Sequence, residues 1–186
     1  MKNLAVFASG TGSNFEAIAQ ACADGVLNAR VALLVCDKPG APVVEKAQRF
    51  GIKSFAFTPK CYASKADYEK EIVQMLDAER IDLVCLAGYM RIVGDVLLSA
   101  YEGRIINIHP SLLPAFKGAN AVEQAVEYGV KVYGITIHWV NSDLDGGRII
   151  AQKAFEYEGN DPEQVHRIGQ KIEHQLYVET IKKLIK

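Results

Sequence analysis

Short, nearly unbroken apolar runs alternate along this chain with stretches in which apolar residues recur every third or fourth position. The runs 4–8, 31–36, 54–57 and 81–87 read as strands, and the last is nearly unbroken, as a strand covered on both faces would be. Helical spacing puts Phe15, Ile18, Ala19 and Cys22 on one face of a first helix. A second helix is predicted over 41–50. A third, over 64–79, turns Tyr68, Ile72, Met75 and Leu76 inward. Strands alternating with helices predict an α/β, Rossmann-like, doubly wound and mostly parallel sheet with helices on both faces and right-handed crossovers.

The second half continues with a different texture. Ile105, Ile106 and Ile108 make 104–109 open as an apolar, β-branched run, then Pro110 and Pro114 forbid a helix and impose an extended exit. A helix follows over 121–128. Residues 134–140 alternate, with Ile135, Ile137 and Trp139 against Thr136 and His138, and read as a strand. An acidic loop at 141–147 leads to a predicted edge strand at 148–151. The last helix announces its start with Asp161 as cap, Pro162 in the first turn and Gln164 behind it. Val165, Ile168, Ile172, Leu176 and Ile181 are expected to bury it. No repeat, linker or low-complexity segment interrupts the pattern, so residues 1–186 are expected to form one domain.

Composition narrows the partners. With 21 basic against 22 acidic residues the net charge is −1, which gives no electrostatic reason to expect nucleic acid or an acidic membrane as partner. The four cysteines are scattered without CxxC spacing, which points to a reducing compartment, and no metal-ligand cluster stands out. The N-terminus has neither the apolar core of a signal peptide nor a spanning run. A cytoplasmic protein is expected, monomeric or homodimeric.

Three stretches carry candidate chemistry. The first is Ser9-Gly10-Thr11-Gly12-Ser13-Asn14, between a strand and a helix, the arrangement in which backbone N–H groups hold an anion. Phe15 stands where a dinucleotide fingerprint needs its third glycine, and no Walker lysine follows, so a single phosphate monoester suits it best. Ser13 and Asn14 could equally serve only as helix caps. The second stretch, 88–93, mixes an aromatic, a methionine, an arginine and aliphatics. It reads as the wall of a flat, partly apolar ligand or as a helix turn on the core. The third pairs Asn107 with His109, two apart and so on one face of a strand. An amide can hold a developing oxyanion and an imidazole can move a proton near neutral pH; both could also be structural. Ligands in such sheets lie at the carboxyl ends of strands, so these three stretches should converge.

Taken together, Ser9–Asn14, Leu86-Ala87-Gly88-Tyr89-Met90-Arg91, the run from Asn107 to Pro114 and Asp143-Leu144-Asp145-Gly146-Gly147 resemble the 10-formyltetrahydrofolate-dependent formyltransferases. The resemblance covers essentially the whole chain, and the glycine loop narrows it to the branch acting on 5′-phosphoribosylglycinamide (GAR) in purine synthesis. It implies direct formyl transfer, with Asn107, His109 and Asp145 as catalytic trio and no metal. It implies GAR on Gly12, Ser13, Asn14, Gln170 and Glu173. It implies the folate along Met90, Arg91, Ile92 and Val93, near Asn107 and Asn141, with Lys65 toward its glutamate tail. His138 is expected to be structural. Relatives commonly read Phe-Pro-Gly-x-His where this chain has Phe116-Lys117-Gly118-Ala119-Asn120. A formyltetrahydrofolate hydrolase and a tRNA formyltransferase, the other branches, are expected to need further domains. A non-catalytic phosphosugar-binding module would have no use for the trio.

Overall fold

The computed structural model describes all residues, 1–186. Seven strands form one sheet in the order β3-β2-β1-β4-β5-β6-β7. They are β1 (Lys2–Phe7), β2 (Ala29–Cys36), β3 (Lys53–Ala56), β4 (Leu83–Leu86), β5 (Ile105–His109), β6 (Val132–Trp139) and β7 (Ile149–Glu156). The first five run parallel, while β5–β6 and β6–β7 are antiparallel. Order reverses beside β1, whose loop leads out to β2 while the chain later returns to β4 on the other side. That switch point is where the crevice of a doubly wound sheet opens.

Two apolar clusters fill the two faces. Leu4, Val6, Ile106, Ile108, Ile135 and Ile137 pack under α1 (Ser13–Ala23), α2 (Pro42–Arg49) and α6 (Pro162–Leu184). Ala5, Phe7, Leu33, Val35, Val84 and Leu86 pack under α3 (Lys65–Ala78) and α4 (Asp95–Ala100). The period-two alternation of each parallel strand thus feeds both layers, which is why these runs carry no polar face. A further helix, α5 (Ala121–Tyr128), packs on α6.

The structure departs from the sequence reading in four places. The helix α4 was not expected: its first turn is capped from a distance, with buried Glu69 of α3 accepting from the N–H groups of Gly94 (2.6 Å) and Leu97 (3.3 Å). No local cap residue marks it. β6 begins at Val132, and β7 is an eight-residue strand to Glu156; its exposed polar residues hide its length because it is the sheet's edge. On α6, Ile168 and Ile172 are only half-buried, and Gly169, Tyr177 and Thr180 fill the interface instead. Tyr177 reaches through the core to donate to the Leu86 carbonyl at 2.8 Å.

Candidate active site

The carboxyl ends of β1, β4 and β5 are neighbours in the sheet, and the glycine loop, the 88–93 segment and Asn107/His109 all line one cavity of about 860 Å³. The 141–145 loop and the 118–123 segment close its other sides. The expected convergence holds.

Asn107, His109 and Asp145 meet there. Asp145 comes from the loop between β6 and β7 and takes a left-handed φ of 46°, a strained backbone for a non-glycine residue. Its Oδ2 accepts from the Gly118 N–H at 2.8 Å and stands 3.5 Å from His109 Nδ1. Its Oδ1 stands 3.7 Å from His138 Nε2. Asp145 is therefore shared by two imidazoles, both nearly buried, at 5% and 2% exposure. Its carboxyl is pulled down to about 2, chiefly by the His138 ring. Burial opposes this, and the Gly118 N–H and the charge on His109 add to it.

The antiparallel register explains the grouping. His138 sits opposite Asn107, and Thr136 opposite His109, so the polar positions of both strands fall on one face. His138 Nδ1 lies 2.9 Å from the Trp139 carbonyl, which can only accept, so Nδ1 carries a hydrogen. In the neutral ring Nε2 then accepts from the Asn107 amide at 3.2 Å. His138 is thus a structural partner that orients Asn107. Thr136 accepts from Leu113 N–H and donates to the Ser111 carbonyl, pinning the proline-rich exit of β5.

One contact is not what the sequence suggested. His109 Nε2 lies 2.8 Å from the Phe116 carbonyl. A carbonyl accepts only, so Nε2–H is committed to the 115–118 loop, where Phe116 holds a left-handed φ of 52°.

On the other side of the cavity, Gly12 caps α1 with φ 70° and no side-chain cap. A Cβ at Gly12 would run into the Val43 side chain, so glycine is required twice over. Because the backbone does the capping, Ser13 and Asn14 are free for another task. Ser13 Oγ accepts from Gln170 at 3.0 Å, and Asn14 donates to Glu173 at 2.8 Å. The loop and α6 are thereby tied into one wall, with the unpaired N–H groups of the first turn of α1 beside it. The Asn14 Oδ1 is buried without a partner.

The 88–93 segment is irregular rather than helical, with bends at Gly88 and Arg91. Met90 and Ile92 are exposed at 69% and 63%, Val93 is in the core, and Arg91 pairs with Asp37. Asn141 lines the cavity and holds its own loop by accepting from Asp143 N–H at 3.0 Å. Lys65 does not line the cavity; it opens α3 beside Gly94, one residue past Val93. Sequence reasoning placed Ser9 only in the phosphate-type loop, and it missed Asp37 and the backbone of Phe116 and Gly118. Asp37 had a signal, since it stands at the carboxyl end of a strand as the expected residues do; the backbone groups had none. No group of three or more His, Cys, Asp or Glu is placed to hold a metal, and no helix is long and apolar enough to cross a membrane.

Comparison with known proteins finds relatives along the whole chain. The formyl transferase family profile matches residues 2–181. A phosphoribosylglycinamide formyltransferase of Bacillus subtilis (strain 168) is 54% identical over 186 residues, covering 100% of this chain and 95% of that protein. The human trifunctional purine biosynthetic protein adenosine-3 is 40% identical over 158 residues, which are 85% of this chain but 16% of that protein. Among solved structures, glycinamide ribonucleotide transformylase 1 of Geobacillus kaustophilus superposes with a TM-score of 0.97 at 50% identity, covering 100% of both chains. The phosphoribosylglycinamide formyltransferase of Bacillus halodurans gives 0.96 at 53%, covering 100% of this chain and 96% of that one.

Proposed function

The chain belongs to the formyl transferase family, and from that premise we propose that it moves a formyl group from 10-formyltetrahydrofolate to the amine of GAR in purine biosynthesis, using Asn107, His109 and Asp145. The amine nitrogen attacks the formyl carbon to give a tetrahedral intermediate. The carbon–N10 bond then breaks, and the proton lost by the amine ends on N10 of tetrahydrofolate. No bond to the protein forms.

The chain's task is to place the two substrates and stabilise the oxyanion between them. The Asn107 amide, oriented by His138, is one donor. His109 is the other, once the Phe116 carbonyl withdraws from Nε2. Asp145 lies 3.5 Å from that ring and can stabilise positive charge that develops on it, and through a water it can accept the amine's proton. The phosphate sits on Gly12, Ser13 and Asn14, and Gln170 and Glu173 meet the rest of GAR, with Asn14 Oδ1 awaiting a donor. The folate lies along Met90, Arg91, Ile92 and Val93, with Asn107 and Asn141 at its reacting end; Lys65, outside the cavity, can reach only the distal tail.

The observation that carries this reading is the meeting of amide, imidazole and carboxylate at the edge of a cavity that also holds a phosphate-type loop. It is tested by mixing the purified protein with GAR and 10-formyltetrahydrofolate and following loss of the formyl donor. Turnover only with GAR present supports transfer. Consumption without GAR indicates a hydrolase, and no consumption with tight GAR binding indicates a binding module; either overturns the reading.

A further inference from the structure

Asp37 follows the last residue of β2 and is buried, its side chain 1% exposed. The transfer chemistry asks for no charge there, and a buried carboxylate is tolerated only where its oxygens are partnered. Both are. Oδ1 accepts from the Ser9 hydroxyl at 2.5 Å, and Oδ2 accepts from Arg91 Nε at 2.9 Å. Ser9 Oγ in turn accepts from the Met90 N–H at 2.9 Å, and the Ser9 N–H donates to the Gly88 carbonyl at 3.0 Å. One buried carboxylate therefore holds a backbone donor and a guanidinium of the same six-residue wall, the first through a single hydroxyl.

The geometry points to Asp37 as a positioning residue for the formyl donor. It acts through Arg91 and, by way of Ser9, through Met90, and it touches no substrate itself. This rests on the reading of 88–93 as the folate wall. Two consequences separate it from a mere brace between strand ends. The ion pair cancels the charge of Arg91, so the wall meets the flat ring of the folate as a neutral surface. Only Nε of Arg91 is engaged by the protein, which leaves its terminal nitrogens, on a side chain 44% exposed in the cavity wall, fixed in direction and free to donate. Preformed donors of this kind improve binding by removing the ordering cost.

The test is Asp37→Asn, with the Michaelis constants for 10-formyltetrahydrofolate and GAR measured separately, tetrahydrofolate affinity by calorimetry, and the thermal midpoint. Losing a charge-assisted hydrogen bond should raise the folate constant and weaken tetrahydrofolate binding by about tenfold, leaving kcat and the GAR constant within about twofold. In an Arg91→Gln background the same change should add little, because the residue through which Asp37 acts is already gone. An unchanged folate constant in a folded Asp37→Asn protein overturns the inference. So does a lowered midpoint with both constants raised equally. If Asp37→Asn does not fold, Ser9→Ala, which removes the hydroxyl joining Asp37 to Met90 and leaves the Arg91 pair in place, must raise the folate constant, and its failure to do so is equally fatal. Wild-type protein that fails to consume 10-formyltetrahydrofolate with GAR would refute the transferase reading instead.

Discussion

Replacing Asp145 with asparagine isolates the charge that two imidazoles share. The carboxyl is held at about 2 against an ordinary 3.8. At about 1.4 kcal/mol per pH unit, its ionised form is favoured by about 2.5 kcal/mol. Part of this is the Gly118 N–H bond, which asparagine keeps, and the largest part is the contact with the His138 ring, which does not bear on the oxyanion. What remains for His109 corresponds to about a tenfold loss in kcat, with about 60-fold as the ceiling for charge alone. Both Michaelis constants should hardly move, since Asp145 touches neither phosphate nor folate wall. Stability gives an independent reading. Because the folded carboxyl is depressed, its stabilisation is present above the ordinary value and is lost as pH falls through about 2. At pH 5, above the ordinary carboxylate value, urea unfolding should therefore find Asp145→Asn less stable by about 1–2 kcal/mol. The wild type should lose that margin between about pH 4 and 2. A variant with wild-type kcat, or with an unchanged acid limb, would refute the argument.

Other perturbations separate chemistry from scaffold. His109→Ala should lower kcat by about 10²–10³ while GAR affinity by calorimetry stays unchanged, because an oxyanion donor acts on the transition state. Gly12→Ala should raise the GAR constant and lower stability by about 1–3 kcal/mol, since the new methyl meets Val43 on a left-handed backbone; a normal GAR constant would dissociate that loop from the phosphate. Tyr177→Phe leaves the Leu86 carbonyl without its buried donor, so urea unfolding should report a loss of about 1–2 kcal/mol with unchanged kinetics.

The parallel half of the sheet was legible because β1, β2 and β4 are largely buried on both faces and α1 to α3 each show an apolar stripe. What escaped was set by partners distant in sequence. α4 starts where Glu69, 25 positions earlier, reaches the Gly94 N–H, and no local residue announces it. β7 gains its length from pairing with β6 and has exposed, polar positions like a loop. The candidate site divides the same way. Side chains that carry chemistry were named because their types and spacing are unusual. The backbone groups that engage them, Phe116 C=O and Gly118 N–H, belong to no residue type and leave no trace in a sequence.

The alternation at 134–140 carries the deeper lesson. Polar residues at every second position of an antiparallel strand ordinarily face water, and that reading would have put Thr136 and His138 outside. They are 0% and 2% exposed. The strand is covered on both faces, so its polar positions are affordable only where hydrogen bonds satisfy them, and they are: Thr136 by Ser111, Leu113 and Gln152, His138 by Trp139 and Asn107. Since β6 lies antiparallel to β5, its polar period falls in register with Asn107 and His109. Two strands with matched period-two polarity, one ending in His-Pro and the other leading into an acidic loop, confine a polar patch to a single face. Shifting either strand by one residue would send that strand's polar groups to the apolar side and break the match. The register that buries Ile106, Ile108, Ile135 and Ile137 under α6 is therefore the same constraint that assembles the candidate catalytic groups.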